Sequence, residues 1–175
     1  MNYLLRGIGV VTTAGVVSVL AFSLPSGEAH GDGGDDRIPK LAHPAWQQEC
    51  GSCHIAYSPA LLPRASWRRV MGSLDRHFGD NASLDPAVQA DILRFLEAHA
   101  ADSGTSQLGR RVMQGMAPKD APLRVTETRW FVHKHDEVKR ATWSLKSVGS
   151  AANCAACHPK AEQGLFDDDS VRIPK

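Results

Sequence analysis

Cys50-Gly51-Ser52-Cys53-His54 and Cys154-Ala155-Ala156-Cys157-His158 are the stretches whose reading decides this fold. Each is Cys-x-x-Cys-His, the attachment signature of c-type haem: two thiols bond to the porphyrin vinyl groups and the imidazole binds iron. The spacing has a mechanical reason. Positions i, i+3 and i+4 of a helix share one face, so both sulfurs and the imidazole address one flat ring from one side. All four cysteines of the chain fall in the two motifs. A disulfide scheme gives no reason for a histidine after each pair. A four-thiolate zinc site leaves both histidines idle, and thioredoxin-like redox chemistry wants a βαβ context that is absent. Two covalently bound haem c groups are therefore expected.

Residues 1–29 read as an export signal. Arg6 supplies the positive n-region, Ile8 to Leu24 is apolar and uncharged, and Gly27-Glu28-Ala29 places small residues where a signal peptidase reads. Cleavage is expected after Ala29, with a periplasmic product. An uncleaved anchor is the alternative, for which the apolar run is slightly short. Export suits the cysteines, because c-type haem attachment is completed outside the bacterial cytoplasm. The formal net charge is +1, and losing Arg6 with Glu28 leaves it unchanged. Haem propionates then bring the holoprotein near neutral or slightly acidic. No basic patch argues for nucleic acid.

Residues 30–42 include a Gly/Asp-rich run, Gly31 to Asp36, and are expected to be disordered. Beyond them the pattern is mainly α, with strand signals almost absent. A first haem-binding unit is placed at 43–114, a linker at 115–122 and a second haem-binding unit at 123–175. Pro44 suits a helix start, with Ala45 to His54 as the first haem helix. Pro59 and Pro63 make the next stretch an extended loop. Ser66 is the expected N-cap of a helix carrying Trp67, Val70, Met71, Leu74, His77 and Phe78 on one apolar stripe, stopped by Gly79. Asp85 before Pro86 caps a helix to about Ala101. A short helix spans Leu108 to Gln114. Thr126 or Thr128 caps a helix through about Arg140, and Asn153 to His158 forms the second haem helix. Arg-Ile-Pro-Lys occurs at Arg37 to Lys40 and again at Arg172 to Lys175, too short for a repeat and read as chance or as matched edge segments. The low aromatic content, 6%, leaves room for haem to act as core, since a porphyrin is a large apolar plate.

His54 and His158 are the expected proximal ligands. The opposite side of each iron decides the chemistry: methionine raises the potential, a second histidine lowers it, and an empty position admits gases. For the first haem, His77 lies on the buried stripe, where an unpaired imidazole is costly. His99 is a rival, though its place at a helix end suits capping carbonyls. Met116 is another, in a Gly115-Met116-Ala117-Pro118 loop similar to the Met-Pro loop of class I cytochromes c; against it, a loop methionine often only packs. His43 reads as surface, and Met71 and Met113 as core. For the second haem, His135 follows Phe131 by four and precedes Val138 by three, on an apolar face, whereas His133 shares a wetter face with Glu137 and Arg140.

Taken together, several stretches resemble the bacterial dihaem cytochrome c family. They are Glu49 to His54, Leu61-Leu62-Pro63, Trp67, Asp75 to Gly79, Arg124 to Thr128, Lys134-His135, Asn153 to Pro159 and Val171 to Pro174. The resemblance implies a unit similar to class I cytochrome c followed by a less regular haem unit. It also implies low-spin haems ligated by two histidines, with His77 and His135 as the distal pair, and leaves open which serves which haem. By the same resemblance, the electron acceptor is a small monohaem cytochrome that binds oxygen, and a membrane b-type cytochrome is an upstream donor.

The function expected is thus outer-sphere electron transfer by an exported dihaem cytochrome, with no small-molecule substrate and no enzymatic activity. The alternative is a dihaem peroxidase or gas sensor with one open haem; the sequence offers no distal acid–base pocket for one.

Overall fold

Helices begin in this chain where a side chain can satisfy free backbone donors. The computed structural model describes Ile38, residues 41–117 and residues 119–175; the expected export signal, 1–29, and most of 30–42 lie outside them. Helix α1, Pro44–Cys50, has Pro44 in its first turn, and His43 caps it by accepting from the Trp46 N–H at 3.1 Å through Nδ1. His43 is thus no loose surface residue: its Nε2 sits 3.2 Å from Asp91. The helix ends at Cys50 rather than at His54. A Cβ at position 51 would lie 2.3 Å from the Gln47 carbonyl oxygen, so the tight exit needs Gly51.

Helix α2, Arg64–Met71, starts two residues before the expected cap. Pro63 precedes it, and the free Arg64 N–H is satisfied from afar by Asp102 at 3.0 Å. Ser66 lies buried inside the helix. Pro59–Leu61, expected as an extended loop, is a buried 3₁₀ turn whose Pro59 carbonyl accepts from Trp67 Nε1 at 2.8 Å. The long stripe to Phe78 also breaks. The α2 helix closes at Gly72, a 3₁₀ turn covers Leu74–Arg76, and His77 stands beyond it. Phe78 then takes φ 55°, a left-handed conformation that bulky residues rarely adopt.

Helix α3, Pro86–Ala98, is capped as expected by Asp85, which accepts from Ala87 and Val88 N–H. Helix α4, Gln107–Met113, is capped by Ser106. Helix α5, Arg129–Lys134, is capped by Thr128 and closes at His135, six residues instead of a run to Arg140; a 3₁₀ turn, Arg140–Ser144, follows. The second haem motif is a single 3₁₀ turn, Cys154–Ala156. No strand occurs among the described residues, only an isolated bridge between His77 and Asp80.

The described residues belong to one compact unit. Trp46, Leu62, Trp67, Met71, Leu74, Ile92, Leu96 and Ala100 make one buried cluster between α1, α2 and α3. Ala60, Leu61, Ala101, Leu108 and Val112 make a second around α4. The stretch read as a linker is tied at two points: Arg69 donates to the Ala121 carbonyl and Arg129 to that of Gly115. Beyond residue 122 the buried apolar side chains among the described residues are Phe131, Val148 and Ala161. That is little core for the length. Both copies of the short echo touch this half: Ile38 N–H donates to the Gly164 carbonyl and Arg172 N–H to that of Cys157.

Candidate haem sites

Two pairs of imidazoles face each other. His54 and His77 have ring centroids 6.3 Å apart with planes inclined by 23°. His135 and His158 have centroids 6.1 Å apart, inclined by 81°. A metal–imidazole bond is about 2 Å and a ring nitrogen lies about 1.2 Å from its centroid, so two imidazoles on opposite sides of one metal have centroids roughly 6.3 Å apart. Both pairs meet that separation.

The hydrogen bonds select the nitrogens. His54 Nδ1 lies 2.7 Å from the Ile55 carbonyl oxygen, and His135 Nδ1 lies 2.8 Å from that of Phe131. A carbonyl only accepts, so each Nδ1 carries a proton and Nε2 is the nitrogen left to face a metal, the arrangement that orients metal-binding histidines. Burial, then the facing His54 imidazole, hold His77 below the usual histidine range. Burial, then facing His135, do the same for His158. Both causes favour neutral imidazole, the form that ligates. His158 Nδ1 is buried with no hydrogen-bond partner, a state that costs free energy in a ring with no other role.

The thiols behave differently from those of a redox enzyme. Burial, then Glu49, push Cys50 up to about 11, and burial leads the same rise for Cys154. Reactive dithiols need lowered values. All four cysteines are free of disulfides, as thioether attachment requires.

Aromatic rings wall the sites. Tyr57 stacks on His54 at 4.8 Å, and Phe78 meets His77 edge-on at 4.8 Å. The Arg124 guanidinium lies 4.0 Å over the Phe78 ring, a cation–π contact from the segment before α5. His135 stacks on Phe131 at 4.0 Å with Trp143 at 5.9 Å, and His158 has Phe166 at 5.1 Å. Phe131 was visible in sequence as the residue one turn before His135. Tyr57, Trp143 and Phe166 carried no sequence signal of this kind.

The rival residues lie elsewhere. His99 closes α3 with its ring beside Phe95, centroids 4.8 Å apart, and does not face His54 as His77 does. His133 is mostly exposed beside Asp136. Met116 packs on the second apolar cluster, as does Met113.

A family model for dihaem cytochrome c matches residues 46–166. A dihaem cytochrome c from Rhodobacter sphaeroides is 44% identical; the match covers 74% of this chain and 100% of that one, with a TM-score of 0.67. The dihaem cytochrome c of Shewanella baltica OS155 is 42% identical over 78% of this chain and 95% of its own, with a TM-score of 0.60. No curated protein matches. The chain belongs to the dihaem cytochrome c family. It carries two covalently bound haem c groups and is an electron-transfer cytochrome with a mainly helical fold.

Proposed function

We propose that the protein is an exported electron carrier with both irons held between two imidazoles, His54 with His77 and His158 with His135. The observation that carries this reading is the pair of centroid separations, 6.3 and 6.1 Å. Cys50 and Cys53 anchor the first haem and Cys154 and Cys157 the second. When bound, each haem supplies a reversible one-electron couple. The chain's own residues would hold it: His54 with His77 and His158 with His135 would each offer two imidazole nitrogens to the metal and leave no position for a substrate. A centre closed in this way passes charge by outer-sphere transfer and hopping and takes no substrate, so the protein is no enzyme. The histidine at every axial position favours a lower potential than a methionine would.

The rest of the reading follows from compartment and resemblance. The N-terminal pattern supports a periplasmic protein cleaved after Ala29. The acceptor is a small monohaem cytochrome that binds oxygen, and a membrane b-type cytochrome is the donor. Such partners dock through small, transient patches. The test is carbon monoxide added to the reduced holoprotein: no spectral change is expected. A large change at one haem would instead make the protein a peroxidase or gas sensor. Mass measurement of periplasmic protein checks the start at His30.

A further inference from the structure

Tyr57 touches both haem sites. Its ring stacks on the His54 imidazole at 4.8 Å with planes inclined by 26°. Its hydroxyl donates to the Ala152 carbonyl oxygen at 2.5 Å, across 95 residues of sequence. That same oxygen lies 3.7 Å from Cys154 Sγ, the first attachment sulfur of the second motif. One side chain and one peptide oxygen therefore lie between the axial ligand of one iron and the tether of the other. The ring also packs against both apolar clusters, which limits how far it can swing.

We propose that Tyr57 is a positioning residue that couples the two haem sites. It holds the second attachment turn against the His54 imidazole and completes a contact route from that ring, through the phenol and the Ala152 carbonyl, to Cys154. The inference rests on the electron-carrier reading above. A tunnelling electron crosses a hydrogen bond more readily than an open gap, so the hydroxyl matters beyond the volume of the ring. The step it serves is a one-electron exchange in which one iron is oxidised as the other is reduced. Tyr57 itself keeps its proton and all its electrons.

The test is Tyr57→Phe in the holoprotein, which keeps the ring and deletes the donor. Flash reduction of partly reduced protein reads the exchange rate between haems, while optical and paramagnetic-resonance spectra read ligation. The exchange should slow severalfold with both haems still low-spin. An unchanged exchange rate overturns the inference. So does slowing accompanied by a high-spin first haem, because Tyr57 would then merely support His54. A second measurement needs no variant. The chain has two tyrosines, Tyr3 and Tyr57, and the first lies in the export segment. Fluorotyrosine incorporated in the native chain should give a resonance from position 57 that moves in two steps as the two haems are reduced in turn. A single step overturns the proposal. Failure of the electron-carrier reading looks different: the native protein itself would bind carbon monoxide or show no exchange.

Discussion

Replacing His77 by alanine removes one of two imidazoles whose centroids stand 6.3 Å apart. The separation leaves no slack. Each ring reaches a shared metal only by its own nitrogen, at a bond of about 2 Å, so His54 cannot move across to serve both faces. Nor is a replacement at hand: His99 has its ring beside Phe95 at the end of α3 and Met116 packs on the apolar cluster around α4. The first iron should therefore become five-coordinate or take up water. The second pair shares no ligand with the first and should be untouched. The magnitude follows from this independence. Half of the haem should turn high-spin, and the reduced variant should bind one carbon monoxide per chain, against none for the native protein. The His77→Ala, His135→Ala double variant should bind two. Exogenous imidazole should fill the gap left by the missing ring and restore the low-spin spectrum. The assay is a carbon monoxide titration followed optically, with haem counted on the same sample. An unaltered low-spin spectrum, or carbon monoxide at both haems of the single variant, would refute the ligand assignment.

Met116→Leu should leave the spectrum unchanged, because its side chain packs on the second cluster; loss of a far-red sulfur–iron band would reverse that placement. Thr128→Val keeps the shape of a residue that is 1% exposed but removes its bond from the Phe131 N–H at 3.2 Å and its bond to the Val125 carbonyl at 2.7 Å. The cost should be about 1–2 kcal/mol, a fall of about 5 °C in Tm, read by thermal melting. A melt that does not shift would show that the cap contributes nothing. Cys154→Ser with Cys157→Ser should halve the haem content and strip hydrogen-exchange protection from residues 123–175 while 44–113 stay protected. Equal protection in both halves would show that the C-terminal half has enough core of its own.

What could be read from the sequence was local. Asp85 was readable as a cap, and the α5 cap was narrowed to Thr126 or Thr128, because an N-cap acts over three residues. The haem motifs were readable because thioether attachment fixes their spacing. The length of α2 was not, since the Arg64 N–H is satisfied by Asp102, 38 residues away. The role of His43 was hidden for the same reason: its partner Asp91 lies on another helix. The helical stripe that points to His77 does not form, since the helix stops at Met71; the resemblance points to the same residue. Its neighbour Phe78 carries the left-handed turn that ends in the bridge between His77 and Asp80. The stripe predicted burial, and the structure gives His77 a facing imidazole through a strained turn instead.

The two halves depend on their cofactors to different degrees, and the reason is compositional. Residues 44–113 supply two apolar clusters of their own, with two tryptophans and paired helices α2 and α3. Residues 123–175 bury Phe131, Val148 and Ala161 and are built mostly of single 3₁₀ turns. Short 3₁₀ turns have poorer hydrogen-bond geometry than α-helix and seldom run long, and so small a core cannot offset the entropy of ordering the chain. Aromatic rings in this half gather around the two histidines: Phe131 and Trp143, themselves 6.2 Å apart, beside His135, and Phe166 beside His158. A porphyrin tethered between those imidazoles adds the missing apolar surface where the rings converge. On the proposed ligation, the iron bonds would serve the fold as well as the redox chemistry. A bond from the other nitrogen of His158 to iron would offset the cost of its buried, unpartnered Nδ1.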